Sequence, residues 1–183
     1  MPNYMEEKLN KKNELNKWDN KYLSSVKYRN GEEIKLAKNK EEWNQYNKEE
    51  IGCYCYFLFN DKKHKMGLFY NFFAVFDSRN ICPIGLRIPK KEDYSNLIEV
   101  LKSGRDLFNC FVNLQKKDKT QLEFNGCLNN NFFTGFDEYW WLNEIYMKNN
   151  ERAYCMRFDT RIISVLKMPR SKYCGMHVKC IKE

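Results

Sequence analysis

"MGLFYNFFAV" (Met66 to Val75) is the stretch whose reading decides the fold. It is apolar almost throughout, so composition alone does not separate a buried strand from a helix. The spacing does offer a choice: Phe69, Phe72, Phe73 and Phe76 fall at i, i+3, i+4 and i+7, which is helical, whereas a strand repeats every second residue. The expectation is therefore an amphipathic helix with these four rings as its buried stripe. Further on, Tyr94, Leu97, Ile98 and Leu101 repeat the pattern, with Pro89 ahead of the helix and Gly104 placed to end it.

On the N-terminal side, "IGCYCYFLF" (Ile51 to Phe59) is β-prone and is closed by the polar loop "NDKKHK". "RNGEE" (Arg29 to Glu33) carries an Asn-Gly turn, and Trp43 in "KNKEEWNQY" is expected to anchor the core. Between the two helices "CPIGLRIP" reads as an extended link. Residues 1–24 read as a charged helical extension to a domain at 25–183, its thin stripe of Met5, Leu9, Leu15, Trp18 and Tyr22 serving either to pack on the domain or to hold a partner. After residue 105 come short strands, "QLEFNGCL", "YWWLNEIYM", "RAYCMRFD", "IISVLK" and "YCGMHVKCI". In the last of them Cys174, Met176, Val178 and Cys180 share one face, and Gly175, His177 and Lys179 the other. Helices first and a mostly antiparallel sheet later define an α+β chain.

Composition limits what such a chain can be. With 183 residues, 43% hydrophobic and 31% charged, and a mean hydropathy of −0.77, one core is expected and a membrane span is not. The first twenty residues lack the apolar run of a secretory signal, so the expectation is a cytoplasmic protein with its eight cysteines reduced. The net charge of +8 is spread along the chain, mixed with acidic residues and mostly Lys, which describes a solvated surface better than a nucleic-acid interface.

Four ordered landmarks carry a family resemblance: "MGLFYNFFAV", "CPIGLRIPKKEDYSNLIEVL", "EYWWLNE" and "YCGMHVKCIKE", with "YRNGEEIKLAKNKEEW" as lead-in. From about Tyr28 to Glu183 the chain resembles the Fibrobacter succinogenes major paralogous domain family. It departs from the family pattern at Leu86, Lys90, Tyr94, Leu142 and Asn143. The resemblance implies a C-type-lectin-like fold, with two helices packed on a twisted, mostly antiparallel sheet and long loops. That scaffold is shared with formylglycine-generating enzymes and with the variable proteins of diversity-generating retroelements. It implies little chemistry, because a widely used fold confers no activity by itself.

The residues favour binding over catalysis. No P-loop, dinucleotide fingerprint, HExxH or CxxC is present. His64 lies in a Lys-rich loop and His177 on the polar face of the last strand, both read as surface residues. Cys174 and Cys180 would lie ~20 Å apart on a regular strand, too far to pair, whereas Cys53 and Cys55 share a face ~6.6 Å apart. That CxC is the basis of an alternative reading as a cysteine- or metal-dependent redox enzyme of the formylglycine-generating type; a basic nucleic-acid-binding adaptor is another. Calcium-dependent sugar binding would need acidic loop motifs, and "WLNE" (Trp141 to Glu144) resembles only one of them. In lectin-like folds the loops between late strands face the ligand. The expected site is therefore Asn129, Asn130, Asn131, Phe133, Tyr139, Trp140, Asn143, Glu144, Arg152 and Arg157, binding a protein or glycan with no metal or cofactor. Phe132, Trp140 and Trp141 can equally fill the core, with the Asn run as a turn.

Overall fold

The computed structural model describes residues 4–19, 21–61, 67–102, 127–129, 132–134, 138–159 and 164–183. In chain order these form α1 (Tyr4–Leu15), β1 (Lys35–Leu36), α2 (Lys40–Lys48), β2 (Cys53–Tyr56), β3 (Leu68–Tyr70), α3 (Phe72–Val75), β4 (Leu86–Arg87) and α4 (Lys91–Lys102). There follow β5 (Cys127–Asn129), β6 (Phe132–Thr134), β7 (Glu138–Ile145), β8 (Arg152–Asp159), β9 (Ser164–Ser171) and β10 (Ile181–Lys182). The chain is α+β. Antiparallel pairings join β2 to β3, β4 to β10, β5 to β6 and the sheet β7-β8-β9, while β1 runs parallel to β2. Gly104, His64, Cys110 and most of "QLEFNGCL" lie outside the described residues.

The opening stretch is not one helix. Leu68, Phe69 and Tyr70 are a strand, all three buried and paired with Tyr56, Cys55 and Tyr54. Only Phe72–Val75 is helical, and Asn71 divides the two. Its side-chain oxygen accepts from the Ala74 N–H at 3.0 Å, capping the turn, and from the Cys53 N–H at 2.9 Å across the sheet. A strand buried on both faces has no polar alternation to reveal it, which is why helical spacing could be read across the junction. Phe69 and Phe72 are buried, but Phe73 is only half-buried and Phe76 is 51% exposed.

The second helix forms, with Tyr94, Leu97 and Leu101 of the expected stripe buried and Ile98 only half-buried. α4 buries Tyr94, Leu97, Val100 and Leu101, with Glu92 and Asp93 in its first turn where the helix dipole favours acid. It packs with Leu15 and Trp18 against Trp140, Leu142 and Met156 of the sheet. The opposite face of the same sheet offers Tyr139, Trp141, Ala153 and Cys155 to the main core. β7 is thus covered on both sides, and successive aromatics point into different cores. Leu15, Trp18 and Leu23 from the N-terminal segment are buried, and the backbone around them runs beside the chain's end: Trp18 bridges Ile181, and the N–H groups of Asp19 and Leu23 donate to the carbonyls of Cys180 and Val178.

The last strand differs most from its reading. Residues 174–181 are all buried, on both faces, because this segment threads between elements, bridging Tyr70, Leu128 and Trp140 through Met176, Gly175 and His177. A Cβ on Gly175 would come within 3.1 Å of the Trp43 ring, so a larger residue would have to push that ring aside for the segment to pass. Two expectations are corrected. Cys180 is bonded to Cys82, with Cα atoms 6.1 Å apart, so the cysteines are not all reduced. The partner lies 98 residues away, a distance in sequence that spacing rules do not reach. His177 is not a surface residue: its ring lies between those of Tyr22 and Phe69, with centroids 4.1 and 4.2 Å away, and its Nδ1–H donates to the Leu68 carbonyl at 3.2 Å.

Burial, with the Lys179 ammonium adding to it, lowers the His177 pKa from 6.5 to about 3. Between those values the unfolded chain holds a proton that the folded one refuses, so stability falls as pH descends through that window. Glu138, raised by burial, opposes the trend in the carboxylate range. His177→Phe is expected to flatten the loss of stability between about pH 6.5 and 3, read from urea midpoints across that range. A slope identical to that of the parent protein would show that His177 does not drive it.

Candidate functional site

The segment 75–90 joins α3 to α4 and carries more polar turn residues than either helix. Just beyond α3, Asp77 closes a turn by accepting from the Arg79 N–H at 2.9 Å, and Asn80 sits at a positive φ of 59°, a conformation Asn tolerates. The Asn80 side-chain oxygen accepts from the Cys82 N–H at 3.0 Å. The stretch read as an extended link is in fact a tight turn. The Leu86 N–H donates to the Pro83 carbonyl at 3.0 Å, and Gly85 supplies the positive φ of 81° that the third position needs. β4 then pairs with β10, and the Asn143 N–H of β7 donates to the Pro89 carbonyl at 3.2 Å, closing the far side.

These contacts leave an open groove of about 370 Å³, lined by Val75, Phe76, Asp77, Asn80, Arg87, Ile88, Lys90 and Asn143, with Ser78 on its rim. Its fixed charges are mostly neutralised within the protein. Arg79 chelates Asp77 through contacts of 2.8 and 2.6 Å, holding that carboxyl below its usual range, and also pairs with Glu32. Arg87 grips Asp93 with two contacts of 2.5 and 2.8 Å. Although burial pushes the Asp93 carboxyl up, the Arg87 guanidinium and the Lys90 N–H hold it below its ordinary value. Lys90 is exposed, and among the described residues no carboxylate pairs with its ammonium. Phe76, stacked on Phe72 with centroids 5.2 Å apart, presents the aromatic part.

The residues expected to form the site are scattered. Among the described ones, only Asn143 reaches the groove, where it is exposed. Tyr139 and Trp140 are buried in the two cores on either side of the sheet, where they are part of the packing, Trp140 donating its Nε1–H to Glu138 at 2.9 Å. Glu144 accepts from Lys167 at 2.6 Å, and that ammonium also lies 3.6 Å from the Tyr154 ring centroid. Arg152 is exposed at the start of β8, and Arg157 is half-buried opposite Tyr139 and Leu166. Asn129 and Phe133 belong to the β5–β6 hairpin, while Asn130 and Asn131 lie outside the described residues. The groove residues on 75–90 were missed because Phe76 was read into a buried helical stripe and "CPIGLRIP" as a link, although turn residues flanking an aromatic are a usable signal.

The free thiols among the described residues are shielded. Cys53 and Cys55 share a face, as expected, and are fully buried against Trp43, Phe69 and Leu128. Burial pushes the Cys53 and Cys55 thiols well up and that of Cys174 to about 12. Among the described residues no group of three or more His, Cys, Asp or Glu is placed to hold a metal ion, and no helix is long and apolar enough to cross a membrane.

The Fibrobacter succinogenes major domain family matches residues 15–123, which is more than half of the chain, and the chain belongs to that family. No curated protein and no solved structure matches it. The matched span contains every groove residue except Asn143.

Proposed function

We propose that this member of the Fibrobacter succinogenes major domain family is a non-enzymatic recognition module with a C-type-lectin-like fold, binding a protein or glycan without a metal at the groove beside β7. The observation that carries the reading is the groove itself. A half-exposed aromatic ring and polar groups with spare hydrogen-bonding capacity converge there from α3, the following turns and β7, each on braced backbone. Few convergent polar groups around an apolar contact are what a binding site requires. A helix packed on an antiparallel sheet, and a chain whose beginning runs beside its end, support the fold reading. The alternative, thiol or thiol-metal chemistry at Cys53 and Cys55, would need a thiolate, and burial works against forming one.

The test uses the full chain against arrays of glycans and peptides, with the contact surface mapped by amide chemical shifts. Ligands are expected to perturb 76–80, 87–90 and 143. Phe76→Ala and Asn143→Ala, both at exposed positions, are expected to weaken binding by about tenfold each with little change in melting temperature. Binding that maps elsewhere, or that both variants leave intact, would overturn the reading.

A further inference from the structure

We propose that the groove takes an extended, acidic segment of a protein partner, with a side-chain carboxylate on Lys90 and an apolar side chain against Phe76. The inference rests on the recognition reading above and names the ligand of that site.

Charge supplies the first reason. Asp77 is neutralised by Arg79 and Arg87 by Asp93, so among the described groove residues the charge without a salt bridge is the Lys90 ammonium, which acts on Asp93 only through its field. A ligand carboxylate placed there completes a pair without breaking one, and the net charge of +8 on the whole chain steers acidic partners toward the surface.

Hydrogen-bonding capacity supplies the second. The carboxylate oxygens of Asp77 and Asp93 already accept from arginine, and the Asn80 oxygen accepts from the Cys82 N–H. What the groove has left is weighted toward donors: the Lys90 ammonium and the side-chain amide N–H groups of Asn80 and Asn143, with the Asn143 amide oxygen as an acceptor and the Ser78 hydroxyl able to do either. Donors suit groups that only accept, which means carboxylates and peptide carbonyls. A sugar hydroxyl would bring a donor of its own and find the carboxylates that usually receive it taken.

The third reason is an apolar side chain held out on the turn that leads into Arg87 of the groove. Ile84 is 87% exposed, at the tip of the turn leading into Arg87. Its backbone is braced from several sides. Arg29 donates to the carbonyls of Cys82, Pro83 and Leu86, the Glu183 N–H donates to Gly85, and Cys82 is bonded to Cys180. An isoleucine in solvent on so fixed a turn loses little entropy when a partner covers it. Phe76 and Ile84 thus offer two apolar contacts, on one connecting segment with Lys90, to a segment that alternates acidic and apolar side chains.

Fluorescein-labelled octapeptides of alternating Glu and Leu, acetylated and amidated so that only side chains carry charge, would be titrated into the full chain. Their Gln and Lys counterparts and neutral oligosaccharides run in parallel, with amide shifts recorded. The Glu peptide is expected to shift 76–80, 87–90 and 143, and the Gln peptide to bind about tenfold more weakly. Lys90→Glu is expected to lose about tenfold as well, and raising salt from ~50 to ~300 mM to weaken the complex. Ile84→Ser should weaken it by a smaller factor. Equal binding of the Gln peptide, or undiminished binding by Lys90→Glu, overturns the proposal. An oligosaccharide that occupies the groove where no peptide does overturns it too, but leaves the recognition reading in place; no occupant of the groove from either panel overturns both.

Discussion

Cys180→Ser is expected to lower stability by about 4 kcal/mol, since the bond it removes closes a loop of 98 residues and thereby restricts the unfolded chain. Natural domains have only about 5 to 15 kcal/mol in hand, so this single change would bring the protein near the edge of folding. Urea titration measures it, and added dithiothreitol should move the parent protein by a similar amount. The pairing itself is checked first: alkylation of denatured but unreduced protein should leave two of the eight cysteines unlabelled. Labelling of all eight, or a midpoint indifferent to reductant, would contradict the prediction. Beyond stability, the bond ties the braced turn at 82–86 to the end of the chain, so the variant should also blur amide signals along the groove.

Asn71→Ala is expected to cost a comparable amount, about 3 to 5 kcal/mol, for a different reason. Asn71 is wholly buried and uses its amide completely. The oxygen accepts from Cys53 and Ala74, and the NH₂ donates to the Asn47 side chain at 3.0 Å and to the Ile51 carbonyl at 2.8 Å. Alanine leaves two N–H groups and two oxygens without partners inside the protein, each worth about 1 to 3 kcal/mol if water cannot reach it. Asn71→Asp keeps both accepting roles but loses both donations and adds a buried charge, so it should not rescue. Asn47→Ala should be milder, because the Tyr173 carbonyl that Asn47 serves also receives the Trp43 Nε1–H at 3.0 Å. The two single variants share a hydrogen bond, so the double variant should cost less than their sum. An Asn71→Ala protein as stable as its parent would refute this.

Periodicity served well where one side of an element met water and poorly where both sides met protein. α4 shows an apolar stripe against charged residues, and its spacing identified it. β7 and the terminal segment are covered on both faces, so alternation in their sequences carried no information about exposure. His177 and Lys179 looked like a polar face and are buried. The same loss explains the expected site. Tyr139 and Trp140 are large aromatics beside an Asn run, a composition that suits recognition, but a sheet between two cores consumes both. The family was legible because its landmarks are packing residues. The groove was not, because its members come from a connecting segment and one strand distant in sequence, brought together by tertiary contacts such as the pairing of Asn143 with Pro89.

The threading of residues 174–181 through the middle of the protein bears on how it is made. A ribosome delivers these residues after everything they touch, yet they bridge β3, β5 and β7 and anchor the bond to Cys82. While the chain is still growing, the two cores have a vacant seam where this strand belongs, and the sides of that seam are aromatic. Folding is therefore completed only once residues 174–181 have emerged, and until then the aromatic sides of that seam stay open to wrong partners.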